Sequence, residues 1–148
     1  MAKMRNGSIK SKLEHVLGSS FEANENFAIS KNYAQYVRQQ QTNEAFSEKW
    51  TKYNRSDEKE RLYAFQREWY LKLYGFHSEH DLKQYLSACD VILDAGCGLG
   101  YKAAWFAELA PCALVIGMDF SDAARQAALT YRHIPNVFFI QGDIADTE

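Results

Sequence analysis

Val91-Ile92-Leu93-Asp94-Ala95-Gly96-Cys97-Gly98-Leu99-Gly100-Tyr101 is the stretch on which the fold turns. Val91, Ile92 and Leu93 form a short, wholly apolar, β-branched run, as expected of a strand buried on both faces of a parallel sheet. The alternating glycines that follow permit the backbone angles of a sharp strand-to-helix turn. They also remove side chains where a ligand approaches the main chain. Residues 101–109 then read as a helix, with Ala103, Ala104, Phe106, Ala107 and Leu109 available for packing and Pro111 just beyond its end. The unpaired N–H groups of such a helix start suit an anionic or polar ligand.

Downstream the pattern repeats. Residues 113–118 read as a second strand ending in Asp119, Ser121 as the cap of a helix over 122–132, and residues 137–140 as a third strand entered through Pro135-Asn136. Strand, helix, strand, helix, strand is the alternation of a parallel α/β sheet, and right-handed crossovers set the strands in the order 3-2-1. Asp94, Asp119 and Asp143 then share one carboxyl edge, where open α/β sheets bind ligands. An acid at the end of the second strand suits the two hydroxyls of a ribose, and Asp143 after the third suits an adenine amino group. A dinucleotide fingerprint of the form G-x-G-x-x-G needs a third glycine at position 101, which is Tyr101. The acid at 94, two residues before the first glycine, repels a pyrophosphate but suits a cationic amino group.

D-A-G-C-G-L-G at 94–100, V-I-G-M-D-F-S at 115–121 and V-F-F-I-Q-G-D-I at 137–144 resemble the first three motifs of class I S-adenosylmethionine-dependent methyltransferases. The likeness runs over residues 89–146, about two-fifths of the chain. It implies S-adenosylmethionine as cofactor, held by Asp94, Ala95 and the loop backbone of Gly96, Cys97, Gly98 and Gly100 at its methionine part. It further implies that Asp119 takes the ribose, that Phe120 and Ile144 flank the adenine, and that Asp143 accepts its amino group. Structural alternatives stay open: Asp94 as a cap of the loop, Phe120 as core, Asp143 as a turn cap. Cys97 reads as small filler rather than a nucleophile, and Cys89 and Cys112 as buried small residues. The family's fold has seven strands, and Glu148 follows shortly after the third. The expectation is therefore an N-terminal portion of a methyltransferase acting on a small-molecule acceptor, inactive alone, with no nameable catalytic base. The competing readings are a fragment of an NAD(P)-dependent oxidoreductase and a non-catalytic binding module.

Upstream the composition changes. Residues 1–88 carry 14 Lys and Arg against 11 Asp and Glu, whereas residues 89–148 carry 3 against 8. The division places a helical region at 1–88, serving as lid or substrate wall, before the first half of a Rossmann-like domain at 89–148. Ser8 caps a helix that Gly18 stops; residues 19–30 read as a loop; helices are expected over 31–41 and after Asn43. Asp57 and Glu60 read as a capping pair for a helix whose stripe of Leu62, Phe65, Trp69 and Leu73 faces the core. Ser78 starts a last helix carrying Leu82, Tyr85 and Leu86.

The whole chain of 148 residues has a net charge of −2, which excludes nucleic-acid binding through bulk positive charge. No apolar run approaches the ~20 residues that span a bilayer, so no membrane partner is expected. Three cysteines, an odd count without metal spacing, suit a reducing cytoplasm. An unpaired side of the first strand leads to three expectations: self-association through that edge, cover by a helix from 1–88, or loose order.

Overall fold

The computed structural model describes residues 8–18, 21–30 and 59–145. In chain order these form helix α1 (Ile9–Leu17), strands β1 (Phe21–Asn24) and β2 (Phe27–Ser30), and helices α2 (Lys59–Leu73) and α3 (Glu79–Ser87). Strand β3 (Val91–Ala95), helix α4 (Tyr101–Leu109), strand β4 (Leu114–Asp119), helix α5 (Ala123–Thr130) and strand β5 (Val137–Gln141) complete them. A single sheet orders the strands β1-β2-β5-β4-β3. Strands β2, β5, β4 and β3 run parallel, and β1 turns back against β2. The three strands read from the sequence therefore lie in the 3-2-1 order of a Rossmann-like α/β sheet. Their register sets Asp94 beside Gly117 and Asp119 beside Gln141, so all three end at a common carboxyl edge.

Local chemistry explains the element ends. Ser8 Oγ accepts the Ser11 N–H at 3.2 Å to start α1, and Gly18 leaves it at φ 54°. Ser78 does the same for α3, accepting from the Asp81 N–H at 3.2 Å. Helix α5 is shorter than its expected span of 122–132, and Ser121 is not its N-cap: that role falls to Asp122. The Ser121 hydroxyl donates to Asp119 at 2.6 Å, while its oxygen still accepts the Ala123 N–H at 3.4 Å.

Two apolar layers sandwich the sheet. Leu82 and Leu86 of α3, the alanines and aromatics of α4, and Ala127 and Ala128 of α5 cover one face over Val115, Val137 and Phe139. On the other face α1 lays Leu17, Leu13 and Ile9 against Leu114, Ile116, Phe138 and Ile140. Buried Lys12 bolts α1 down, donating to the Cys112 carbonyl at 2.8 Å with Asp90 at 3.7 Å. Asn136, also buried, holds the carbonyls of Ala107, Ala110 and Ala113 at 3.0–3.1 Å and so closes the end of α4.

Four expectations are corrected. Residues 21–30 are a hairpin rather than a loop, so the region 1–88 is not wholly helical. Its stabilisation comes from a distant partner: β2 pairs with β5, Phe27 beside Phe139, and buries Ala28. No local pattern in those polar residues announces a pairing across the chain. Second, α2 turns its other side inward. Phe65, Trp69 and Leu73 are exposed, while Tyr70 sets its ring edge-on against Trp105 and Phe106 of α4. Aromatics surround this helix, so periodicity alone does not choose a face; stacking partners on α4 do. Third, β3 is not buried on both faces, since Leu93 is 54% exposed. Fourth, Cys112 is exposed and Cys89 half-buried. The helices expected over 31–41 and after Asn43, and the Asp57 cap, lie outside the described residues. Among the described residues no helix is long and apolar enough to cross a membrane.

Candidate functional site

The glycine turn between β3 and α4 is built from three left-handed residues, Gly96, Gly98 and Gly100, at φ 74°, 52° and 76°. The N–H groups of Gly96 and Cys97 both donate to the Met118 carbonyl, at 2.8 and 3.0 Å, which pins the turn to the end of β4. The three glycines serve different ends. A Cβ on Gly96 meets nothing within 4 Å, so space stands open beside that backbone. A Cβ on Gly100 would lie 2.5 Å from Phe139 Cε1 and 2.6 Å from Ala127 Cβ, so this glycine lets α4 pack against α5 and β5. Gly100 also caps α4 without any side-chain hydrogen bond. Among the first-turn N–H groups of α4, that of Ala103 faces the Asp94 carboxylate.

Asp119 is anchored at both oxygens. Oδ2 accepts the Gly98 N–H at 2.8 Å, and Oδ1 accepts the Ser121 N–H and hydroxyl at 2.9 and 2.6 Å. A carboxylate offers about four acceptor positions, so these contacts orient Asp119 and leave it capacity for one further hydroxyl. Rotation of the Ser121 hydroxyl releases another position.

Asp94 is the most deeply buried acid of the site. Its side chain is 2% exposed; Oδ1 lies 2.9 Å from Lys102 Nζ, and Oδ2 accepts no hydrogen bond. Burial pushes its carboxyl above the usual carboxylate range, against the pull of the neighbouring Lys102 ammonium. Cys97, half-buried in the turn, has its thiol pushed well up by burial and by the adjacent Asp94 and Asp119 carboxylates. A protonated thiol of this kind packs and does not attack.

The remaining residues singled out from the sequence gather on the same edge. Ala95 is exposed at the end of β3, and Phe120, half-buried, follows β4 directly. Asp143, half-buried beyond β5, accepts the Ala145 N–H at 2.9 Å, which is a turn-capping contact. Ile144 beside it is exposed. A separate cavity of about 570 Å³ lies between α1 and the amino ends of β4 and β5, lined by Leu13, Leu17, Leu114 and Phe138, at the opposite end of the strands.

Sequence reading passed over Lys102, gave Ser121 only as a helix cap, and left the contacts of α2 unnamed. Tyr63 of α2 stacks on Tyr101 with ring centroids 3.6 Å apart, and Arg67 bonds the Tyr101 hydroxyl and lies over Trp105 at 5.3 Å. Lys102 left a signal: a cation in the first turn of a helix stands against the macrodipole and calls for an anionic partner nearby.

A family model described as a methyltransferase domain matches residues 92–148. Residues 92–148 are thus similar to a methyltransferase domain, in agreement with the class I motifs read in the sequence. A matching relative is trans-aconitate 2-methyltransferase of Deinococcus radiodurans, 42% identical over 55 residues. That match takes in 37% of this chain and 21% of the relative, so the methyltransferase likeness spans about a fifth of the relative's length. The matched segment starts within β3 and contains the glycine turn, Asp119 and Asp143.

Proposed function

We propose that this chain binds S-adenosylmethionine at the carboxyl edge of β3, β4 and β5 and serves methyl transfer to a small-molecule acceptor in the cytoplasm. The observation that carries the reading is the convergence, on one edge, of an open glycine turn with two acids of opposite character. Asp119 is oriented and partly solvated, whereas Asp94 is buried with an oxygen lacking a hydrogen bond. The residues fit the cofactor on those grounds. Asp94 and the loop at residues 96–100 would hold its methionine part, Asp119 its ribose, and Phe120, Asp143 and Ile144 its adenine. When bound, the cofactor supplies an electrophilic methyl group on a sulfonium. The chain's own contribution is positional: the pinned turn and fixed Asp119 carboxylate set where the donor lies, which favours an in-line approach.

A small acceptor agrees with the relative's name, which specifies methylation of trans-aconitate. The front region contributes the wall of the site through α2, whose Tyr63, Arg67 and Tyr70 pack against α4. The 148-residue chain by itself does not turn over, a reading supported by the one-sided pairing of β3 among the described residues. Three free cysteines agree with a reducing compartment. Calorimetric titration tests the cofactor: S-adenosylhomocysteine binds and NAD does not. Binding of NAD in preference overturns the reading in favour of an oxidoreductase, and binding of neither favours a non-catalytic module.

A further inference from the structure

Lys102 and Asp94 form a pair that the cofactor reading leaves unexplained. The ammonium stands 2.9 Å from Oδ1 of a carboxylate whose side chain is 2% exposed, while the lysine side chain itself is 41% exposed. Lys102 Nζ also lies 5.9 Å from the ring centroid of Tyr70, so α2 closes over the pair. Asp94 Oδ2 is fully buried without a hydrogen-bond partner. An acid placed this way is satisfied on one side only, and no group reaches it from solvent while Lys102 stays. Two cations on one buried carboxylate would leave a net positive charge out of water, which is costly.

We propose that Lys102 is a resident counter-ion that gives way to the ligand's own ammonium group, one cation exchanged for another on Asp94. This rests on the binding reading above. Lys102 has the properties the exchange needs: a flexible stem, an exposed flank, and three donors that water satisfies once it swings out. Charge in the pocket is conserved, since one ammonium leaves as another enters and Asp94 keeps its proton state. Among the described residues, the charged and titratable groups facing Asp94 are Lys102 on α4, Asp119 at the end of β4, Cys97 in the turn and Tyr70 on α2. Only Lys102 among them is a cation. Without it Asp94 is left with burial and a neighbouring acid, which favour the protonated form, against the backbone N–H of Ala103 alone.

The distinguishing variants are Lys102→Met, which keeps the stem, and Lys102→Arg, which keeps the charge. Two probes are titrated: S-adenosylhomocysteine, which carries an α-ammonium, and 5′-methylthioadenosine, which does not. In Lys102→Met the Asp94 carboxyl loses its counter-ion and titrates at higher pH, so below that point the ammonium must displace a proton from it. The variant's affinity for S-adenosylhomocysteine then rises with pH until Asp94 ionises, by up to about tenfold per pH unit. Methylthioadenosine binding stays flat in every form, and the wild-type chain and Lys102→Arg show flat profiles with both probes. A flat profile for S-adenosylhomocysteine in Lys102→Met, or equal losses with both probes, overturns the exchange and leaves Lys102 a packing residue. If neither probe binds the wild-type chain, the binding reading itself fails. Carbon-detected NMR of the Asp94 carboxyl in the free chain then decides the counter-ion role alone. That role requires the Asp94 carboxyl to titrate at higher pH in Lys102→Met than in wild type and Lys102→Arg. An Asp94 titration unmoved in Lys102→Met overturns it.

Discussion

Asp119 does two jobs with one carboxylate, and its replacement should separate them. Asp119→Ala removes the acceptor of three internal hydrogen bonds, stranding the Gly98 N–H and the Ser121 N–H and hydroxyl. Loss of hydrogen bonds to a charged group costs about 1.5–3 kcal/mol, which a urea titration reads as a lower midpoint. The same change should weaken S-adenosylhomocysteine binding by about 2–3 kcal/mol. Unchanged affinity in a folded variant removes Asp119 from the ribose assignment. Asp94 makes a different prediction, in pH. Its folded pKa stands above the ordinary value, chiefly through burial. The neutral form therefore adds stability that is fully present below the ordinary carboxylate pKa of about 3.9 and is lost as pH rises through the raised one. Asp94→Asn stays neutral throughout. Its denaturation midpoint should lack this fall, so its stability relative to wild type rises from acid to neutral pH.

At the scale of elements, legibility followed the range of the interactions. Helices α1, α3 and α4 could be bounded from the chain because their signals are local: Ser8 and Ser78 as caps, Gly18 as a stop, and the glycine turn followed by alanines. Strands β3, β4 and β5 were equally readable, each a short apolar run between turn residues. The hairpin was not, because β2 is held by β5, which lies more than a hundred residues later in the chain. The inward face of α2 was hidden for a related reason: Tyr63 and Tyr70 win over Phe65 and Trp69 only because Tyr101, Trp105 and Phe106 are waiting on α4. At the site, the turn and the three acids stood out by spacing. Lys102 did not, since its meaning depends on a carboxylate across the turn. Packing at Gly100 gives the element-scale prediction. Gly100→Ala combines a side chain at positive φ with a contact 2.5 Å from Phe139 Cε1. It should cost about 2–4 kcal/mol by strain and overpacking together. Gly96→Ala meets open space and should cost only the backbone strain, about 1–2 kcal/mol. Equal midpoints for the two variants in a denaturant series refute the division of labour between these glycines.

For the whole molecule, the two sides of the sheet are treated unequally. The β5 side is covered by the hairpin, while β3, among the described residues, pairs with β4 alone and exposes Leu93. Such an edge recruits other strands. The isolated chain should self-associate through it, or exchange the outward amides of Val91 to Leu93 faster than those of β4. Light scattering and hydrogen exchange read the two. A monodisperse monomer with those amides strongly protected would falsify this.

The pairing of Phe27 with Phe139 also puts the ends of the described chain under a timetable. A ribosome adding about 5–20 residues per second needs roughly 6–22 s to travel from one to the other. Throughout that interval β2 and its hairpin partner β1 have been made and the sheet neighbour β5 has not. Lys12 is in the same position, waiting on Asp90 and then on the carbonyl of Cys112. The protein is thus stitched from both directions at once. Its amino-terminal hairpin joins the sheet only through the last strand of the set, and a newborn chain halted before Ile140 would offer proteases and chaperones a hairpin with no sheet yet to hold.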